Sequence, residues 1–299
     1  ILVTTKSAKG VSAGKPHIDF SAYFGIDKVS NQGRPDLMNA QEFAQFKKEY
    51  YEDQALYEGY TGGVPECYQN PQAIGKGTDW FDILFRNPFS HNHSISVSGG
   101  SEDIRYYTSL SYNSTKGTAV GNDSESYGAN VGLDMTVTNK FRASFSLSGS
   151  HGTTKGFTIV NPYEYATKTN RAIAAYEDNG DLSYYQKESG YLFNIINERD
   201  ESGTSNKTFS LNSNLNLNYD FTESLKFQML GSVNVASVIG EAWATERTEY
   251  IAKIRWYDYG VYKAVDAEYK NSQLPVGGEY SQDENKSVSW NWRNSLSYD

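Results

Sequence analysis

The residues best suited to hold a ligand lie in RWYDYGVYKAVDAEYK, where Trp256, Tyr257 and Tyr259 sit beside Arg255 and Tyr262. Aromatic faces stack on the C–H faces of sugars, and a Tyr hydroxyl adds a polar tip. Rings of this kind can also simply pack a loop or sit at a membrane interface, so the chemistry depends on where the loop is held. Other combinations are poorer. His91 and His93 are two apart on a strand-like run and share a face, but no third ligand is placed beside them. GKGTD at 75–79 lacks the spacing of a phosphate-binding loop. Asp178 and Asp181 flank a Gly-Asn turn, where Asp is favoured for backbone reasons. Asn113-Ser114-Thr115 matches a glycosylation acceptor, which matters only in a eukaryotic secreted chain. The expectation is a non-enzyme with no metal and no cofactor.

The elements that must position these residues read as strands. Over TFSLNSNLNLNYD, Phe209, Leu211, Leu215, Leu217 and Tyr219 fall on one face. Thr208, Ser210, Asn212, Asn214, Asn216 and Asn218 fall on the other. This is a β-strand with an apolar side and a neutral polar side. A strand facing bulk water usually carries Lys, Glu or Arg. Small uncharged polar groups instead suit the lumen of a wide barrel whose apolar side meets lipid. The pattern recurs with Tyr127, Ala129, Val131, Leu133 and Met135, with Phe141, Ala143, Phe145 and Leu147, and with Ile18, Phe20, Ala22, Phe24 and Ile26.

Eight such strands are expected near 17–29, 91–99, 104–116, 125–137, 141–152, 207–219, 225–238 and 288–299. Tight connections at 100–103, 138–140 and 220–224 take turns with longer ones at roughly 30–90, 117–124, 153–206 and 239–287. Antiparallel neighbours put all tight turns at one end and all long loops at the other, which is the pattern of outer-membrane barrels. Phe141, Tyr219 and Phe221 near the tight turns read as interfacial girdle residues. In the first long loop, NAQEFAQFKKEYYEDQALY predicts a helix with Asn39 as N-cap and Phe43, Phe46, Tyr50 and Leu56 at helical spacings. GTDWFDILFR predicts a second short turn packing Trp80, Phe81 and Leu84.

Composition agrees. Hydrophobic residues are only 38% of the 299, too few for a thick aliphatic core, while 24 Tyr suit girdles and loops. A net charge of −9 gives no basic footprint for nucleic acid. The single Cys67, expected at the surface of the first loop, excludes an internal disulfide. No run is long and apolar enough for a membrane helix, which leaves barrel strands open. Both ends fall inside strand-like runs and read as an internal piece of a longer chain.

Two segments resemble a known family. ILVTTKSAKG resembles the end of the plug in SusC/RagA-type TonB-linked outer-membrane proteins. DWFDILFRNPFSHNHSISVSGGSEDIRYYTSLSYNSTKG resembles that family's most recognisable barrel segment, through Asn92, Ser96, Val97, Ser98, Gly99 and Gly100, then Tyr106, Tyr107, Ser109, Leu110 and Tyr112. YEDNGDLSYY and LPVGGEY are weaker echoes. The resemblance implies an all-β transmembrane antiparallel barrel, here about eight strands of a plugged barrel of about 22, with long extracellular loops. It implies that residues 1–10 end the plug and 11–299 begin the barrel. It implies TonB-driven import of glycans or peptides through the bacterial outer membrane, with a SusD-like surface lipoprotein. Partners are then that lipoprotein, the TonB complex through parts absent from this sequence, the oligosaccharide or peptide, and membrane lipid. Trp256, Tyr257 and Tyr259 become candidate substrate-binding residues. Two rivals remain: an eight-stranded barrel acting as adhesin or structural protein, and a soluble β-rich glycan-binding protein.

Overall fold

The computed structural model describes residues 14–30 and 34–298; the expected plug end at 1–10 lies outside them. Eight long strands form one antiparallel sheet: β1 (Gly14–Ile26), β2 (Phe89–Gly100), β3 (Ile104–Lys116), β4 (Asp123–Thr138), β5 (Phe141–Gly156), β8 (Ser202–Asp220), β9 (Leu225–Ala244) and β10 (Glu279–Tyr298). They pair strictly in chain order, each with the next long strand. A two-residue hairpin, β6 (Tyr185–Gln186) with β7 (Leu192–Phe193), stands apart within the connection between β5 and β8. Every expected strand is present. The last three run further toward the long loops than expected, because Lys207, Glu241 and Glu284 break the apolar side of the alternation there without breaking the pairing.

Register aligns the faces across the whole sheet. Phe20, Ile95, Leu110, Ala129, Gly149, Leu211, Val235 and Val288 are direct neighbours in one transverse row. The row Ser21, Ser94, Ser111, Gly128, Ser150, Ser210, Ala236 and Ser287 lies on the opposite face. A one-residue slip in any strand would swap the two faces, so the pattern holds the register firmly. Large apolar side chains stay exposed along the apolar row, Phe20, Leu110 and Val288 among them. A sheet that leaves such a band open has another apolar phase to cover it.

The buried core lies elsewhere, in a layer made by the long connections. These carry α1 (Ala40–Tyr57), α2 (Glu66–Gln69) and α3 (Trp80–Leu84) between β1 and β2, α4 (Pro162–Lys168) and α5 (Ile195–Asp200) between β5 and β8, and α6 (Glu249–Arg255) and α7 (Ala267–Asn271) between β9 and β10. Trp80 and Leu84 pack with Ala166, Ala175, Phe193, Ile195 and Ile196, so the first and third connections share one core. Asp79 caps α3 by accepting from the Phe81 N–H at 3.0 Å, and also takes Arg34 at 2.6 Å and Arg171 at 3.5 Å. The Thr78 N–H and hydroxyl donate across to the Arg171 and Ile173 carbonyls, both at 2.7 Å. Gly77 makes this approach possible: its φ is +70°, and a Cβ there would collide with the Arg171 carbonyl.

Helix α1 forms where expected, with Asn39 and Glu42 in a reciprocal capping box. Its packing differs from expectation. Ala40 and Ala44 are the buried residues, while Phe46, Tyr50 and Leu56 are exposed and Phe43 sits edge-on to Tyr68. The small residues win because the neighbouring chain comes close, as the Ala40 N–H bond to the Lys76 carbonyl shows.

Candidate functional site: the polar wall and the loop layer

The polar face of the sheet is nearly free of charge through its middle. Below the serine row runs a second row of Asp19, Ser96, Ser109, Asn130, Ser148, Asn212, Asn234 and Ser289. Neighbours satisfy one another: Ser21 with Ser94 at 2.8 Å, Ser150 with Ser210 at 2.7 Å, and Asn130 donating to Ser109 at 3.2 Å. Charges return at the tight-turn end, where Arg142 meets Asp220 at 3.0 Å and Arg105 lies opposite Asp134. Such a wall offers many weak hydrogen bonds and no deep electrostatic trap.

The apolar face is banded. His93, Tyr112, Tyr127, His151 and Phe209 form a transverse row near the loop end. Phe141, Tyr219 and Phe227 form another near the turn end, and the Phe141–Tyr219 and Tyr219–Phe221 rings lie 6.2 and 4.8 Å apart. Ten residues of β8 separate Phe209 from Tyr219. At about 3.3 Å per residue and a tilt of about 40°, that is a rise of roughly 25 Å, the height of the apolar band on a transmembrane barrel. His91 and His93 belong to this aromatic array: their rings are 5.1 Å apart, with Phe24 and Tyr112 as neighbours.

Helix α6 positions the predicted ligand residues. The Thr248 hydroxyl caps it by accepting from the Ile251 N–H at 3.2 Å, and buried Ile251 and Ala252 anchor it. The helix ends at Arg255, only 2% exposed, whose guanidinium donates to the Leu274 and Gly277 carbonyls at 3.3 and 3.4 Å. Trp256 follows with φ +76° and ψ +13°, and its N–H bonds back to Ala252 at 2.7 Å. A bulky residue in the left-handed region is held against a cost of about 1–2 kcal/mol. The outcome is an indole 61% exposed. The three predicted rings therefore separate. Tyr257 is 7% exposed and packs edge-on against Tyr262 at 5.0 Å. Tyr259 is 48% exposed, with the Arg247 guanidinium 5.0 Å from its ring centre and Arg255 at 5.9 Å. Trp256 and Tyr259 face out, and Tyr257 holds the loop.

Sequence reasoning missed what holds α6 in place. Glu198 of α5 is 1% exposed and accepts from the Glu249 N–H at the first turn of α6, at 2.8 Å. Asn197 donates to the Arg247 carbonyl at 3.1 Å, Ser189 to the Glu249 carboxylate at 2.6 Å, and the Leu192 N–H to Asp258 at 3.1 Å. Third and fourth connections are thus fastened by polar bonds. Burial pushes the Glu198 carboxyl up to about 7, and the nearby Glu249 charge adds to the rise, against the hydrogen bonds from Glu249 and Asn197. The signal in the sequence was one Asn-Glu pair in a short helix, indistinguishable from a solvated one.

No family model matches the chain. It is 25% identical over 236 residues to TonB-dependent receptor P3 of Formosa agariphila, covering 76% of this chain and 21% of that protein. It is 25% identical over 134 residues to TonB-dependent receptor SusC of Bacteroides thetaiotaomicron, covering 44% of this chain and 12% of that one. The chain thus spans about a fifth of the first relative's length. The solved structure of the RagAB peptide transporter matches 97% of this chain, and 33% of its own, with a TM-score of 0.67 at 16% identity. The RagAB peptide importer in its open-open state matches 96% of the chain with a TM-score of 0.66 at 17% identity. The chain is thus similar in sequence to TonB-dependent receptors, SusC among them, and its eight-stranded sheet shares the fold of a third of the RagAB transporter chain.

Proposed function

We propose that this wall lines a channel for the import of a large, neutral, polar solute, an oligosaccharide or peptide, across the outer membrane. The observation that carries the reading is the pair of serine and asparagine rows spanning all eight strands. A polar solute can exchange hydrogen bonds along such a surface without being held at one charge. Trp256 and Tyr259, outward-facing on the loop layer, are the first contacts, and Tyr257 supports them from below. In this reading, which rests on the sequence resemblance, residues 1–10 are the C-terminal end of a plug domain and 11–299 the first part of the barrel. The TonB complex supplies the energy through parts of the full-length protein outside this sequence, and a SusD-like lipoprotein covers the loop layer. The name of the RagAB peptide transporter supports the peptide class, and the oligosaccharide class rests on the sequence resemblance described above.

The test is uptake of a labelled panel of oligosaccharides and peptides by cells with and without the full-length gene. One class should enter only with the gene, and a protonophore should abolish its entry. Equal uptake of every solute by both strains refutes the import reading. Entry that survives the protonophore refutes its energisation.

A further inference from the structure

On the lipid-facing side the sheet is not uniformly covered. Between the aromatic row near the loop end and the apolar row beneath it lies an open, shallow groove of about 530 Å³. Its floor is Ala129 and Gly149, direct neighbours across β4 and β5. Leu110 walls one side, and Tyr127, His151 and Phe209 overhang it from the row above. The overhang is braced, since the Tyr112 and Tyr127 rings lie 4.8 Å apart. Packing of the sheet does not require this bareness. A Cβ on Gly149 would meet only Leu211 Cδ1 at 3.5 Å and the Ser210 carbonyl at 3.7 Å, which is ordinary contact.

We propose that this groove is a binding site for one acyl chain of a membrane lipid of the outer, loop-side leaflet. Its depth identifies the occupant. The groove is one outward-facing step below the aromatic row that marks the interface on that side, so a chain descending from a headgroup enters it directly. No water is available at that depth to fill an apolar hollow, and a chain lying over Ala129 and Gly149 restores the missing contacts. The polar tips of Tyr127 and His151 stand at headgroup level, where such amphipathic rings are favoured. The site rests on the membrane-facing assignment of this surface and not on the import reading, so failed uptake experiments leave it standing.

The experiment is native mass spectrometry of the full-length protein, stripped of lipid in detergent and titrated with dipalmitoyl phosphatidylethanolamine. Wild type should show one saturable adduct. Gly149→Leu fills the floor and should weaken that adduct by about tenfold, the loss of a few buried methylenes. Ala129→Leu should do the same and decides the matter if Gly149→Leu fails to fold, as read by heat-modifiable gel mobility. Val235→Leu, on the same row three strands away from Ala129, should leave the adduct unchanged. Equal titration of wild type and both groove variants overturns the proposal, as does a wild type with no saturable adduct.

Discussion

Leu215→Arg and Asn216→Arg are adjacent changes on one strand with opposite expected costs. Leu215 is six residues from Phe209 and four from Tyr219, the two residues of β8 in the aromatic rows. It is therefore one residue off the centre of the band, a vertical offset of roughly 2.5 Å at a strand tilt of about 40°. An arginine on the lipid side that close to the midplane should cost about 2–4 kcal/mol. Asn216 faces the other way, paired across the sheet with Ser144 and Leu230, with Asn218 donating to it at 3.4 Å. Arginine there points into water and should cost roughly 0.5 kcal/mol or less, as for other surface changes. The assay is urea unfolding of the full-length protein from lipid vesicles, with folded barrel scored by heat-modifiable mobility. Equal penalties at the two positions refute the assignment of faces.

Further outcomes are expected. With Cys67 replaced, cysteines at Thr138 or Glu223, in or beside the tight turns, should resist membrane-impermeant labelling on intact cells, while cysteines at Ser183 or Asn271 should label. Trp256→Ala and Tyr259→Ala together should weaken calorimetrically measured binding of the imported solute by about fivefold or more, each ring contributing about 0.5–1.5 kcal/mol beyond its area. Tyr257→Ala should instead raise hydrogen exchange in α6 and lower binding only through the loop, because its ring is buried. The Glu198 carboxyl keeps its proton up to about pH 7 in the folded loop layer and releases it near 4.3 when unfolded. The folded state therefore binds more protons between those values, and protection of α6 amides should fall as pH rises through that window and level off above it. Glu198→Gln should flatten this dependence, measured by hydrogen exchange at pH 5 and pH 8.

The sheet was legible because period-two alternation is a local signal, and a barrel wall imposes it on every strand. Tight turns at Ser101 and Lys140 were legible for the same reason, as breaks in phase. The upper strand ends were not, since Lys207 and Glu241 interrupt the apolar side there while pairing continues through them. The loop core was half legible. WFDIL announced itself, but its partners Phe193 and Ile195 come from more than 100 residues away, and nothing local couples them. The candidate ligand residues were found as a cluster, but which rings face out follows from the left-handed Trp256 at the end of α6 and from buried Arg255 beneath. Neither is written in composition or spacing.

The most direct measurement of the central claim is an accessibility scan by spin labelling along 208–220 in the full-length protein, reconstituted in lipid vesicles. Labels at Ser210, Asn212, Asn214, Asn216 and Asn218 should collide with a water-soluble nickel complex. Labels at Leu211, Leu215 and Leu217 should collide with oxygen dissolved in the bilayer. Two curves alternating with period two and opposite phase are the predicted result. Nickel accessibility at every position, or curves in phase, would contradict a wall with lipid on one side and a water-filled channel on the other.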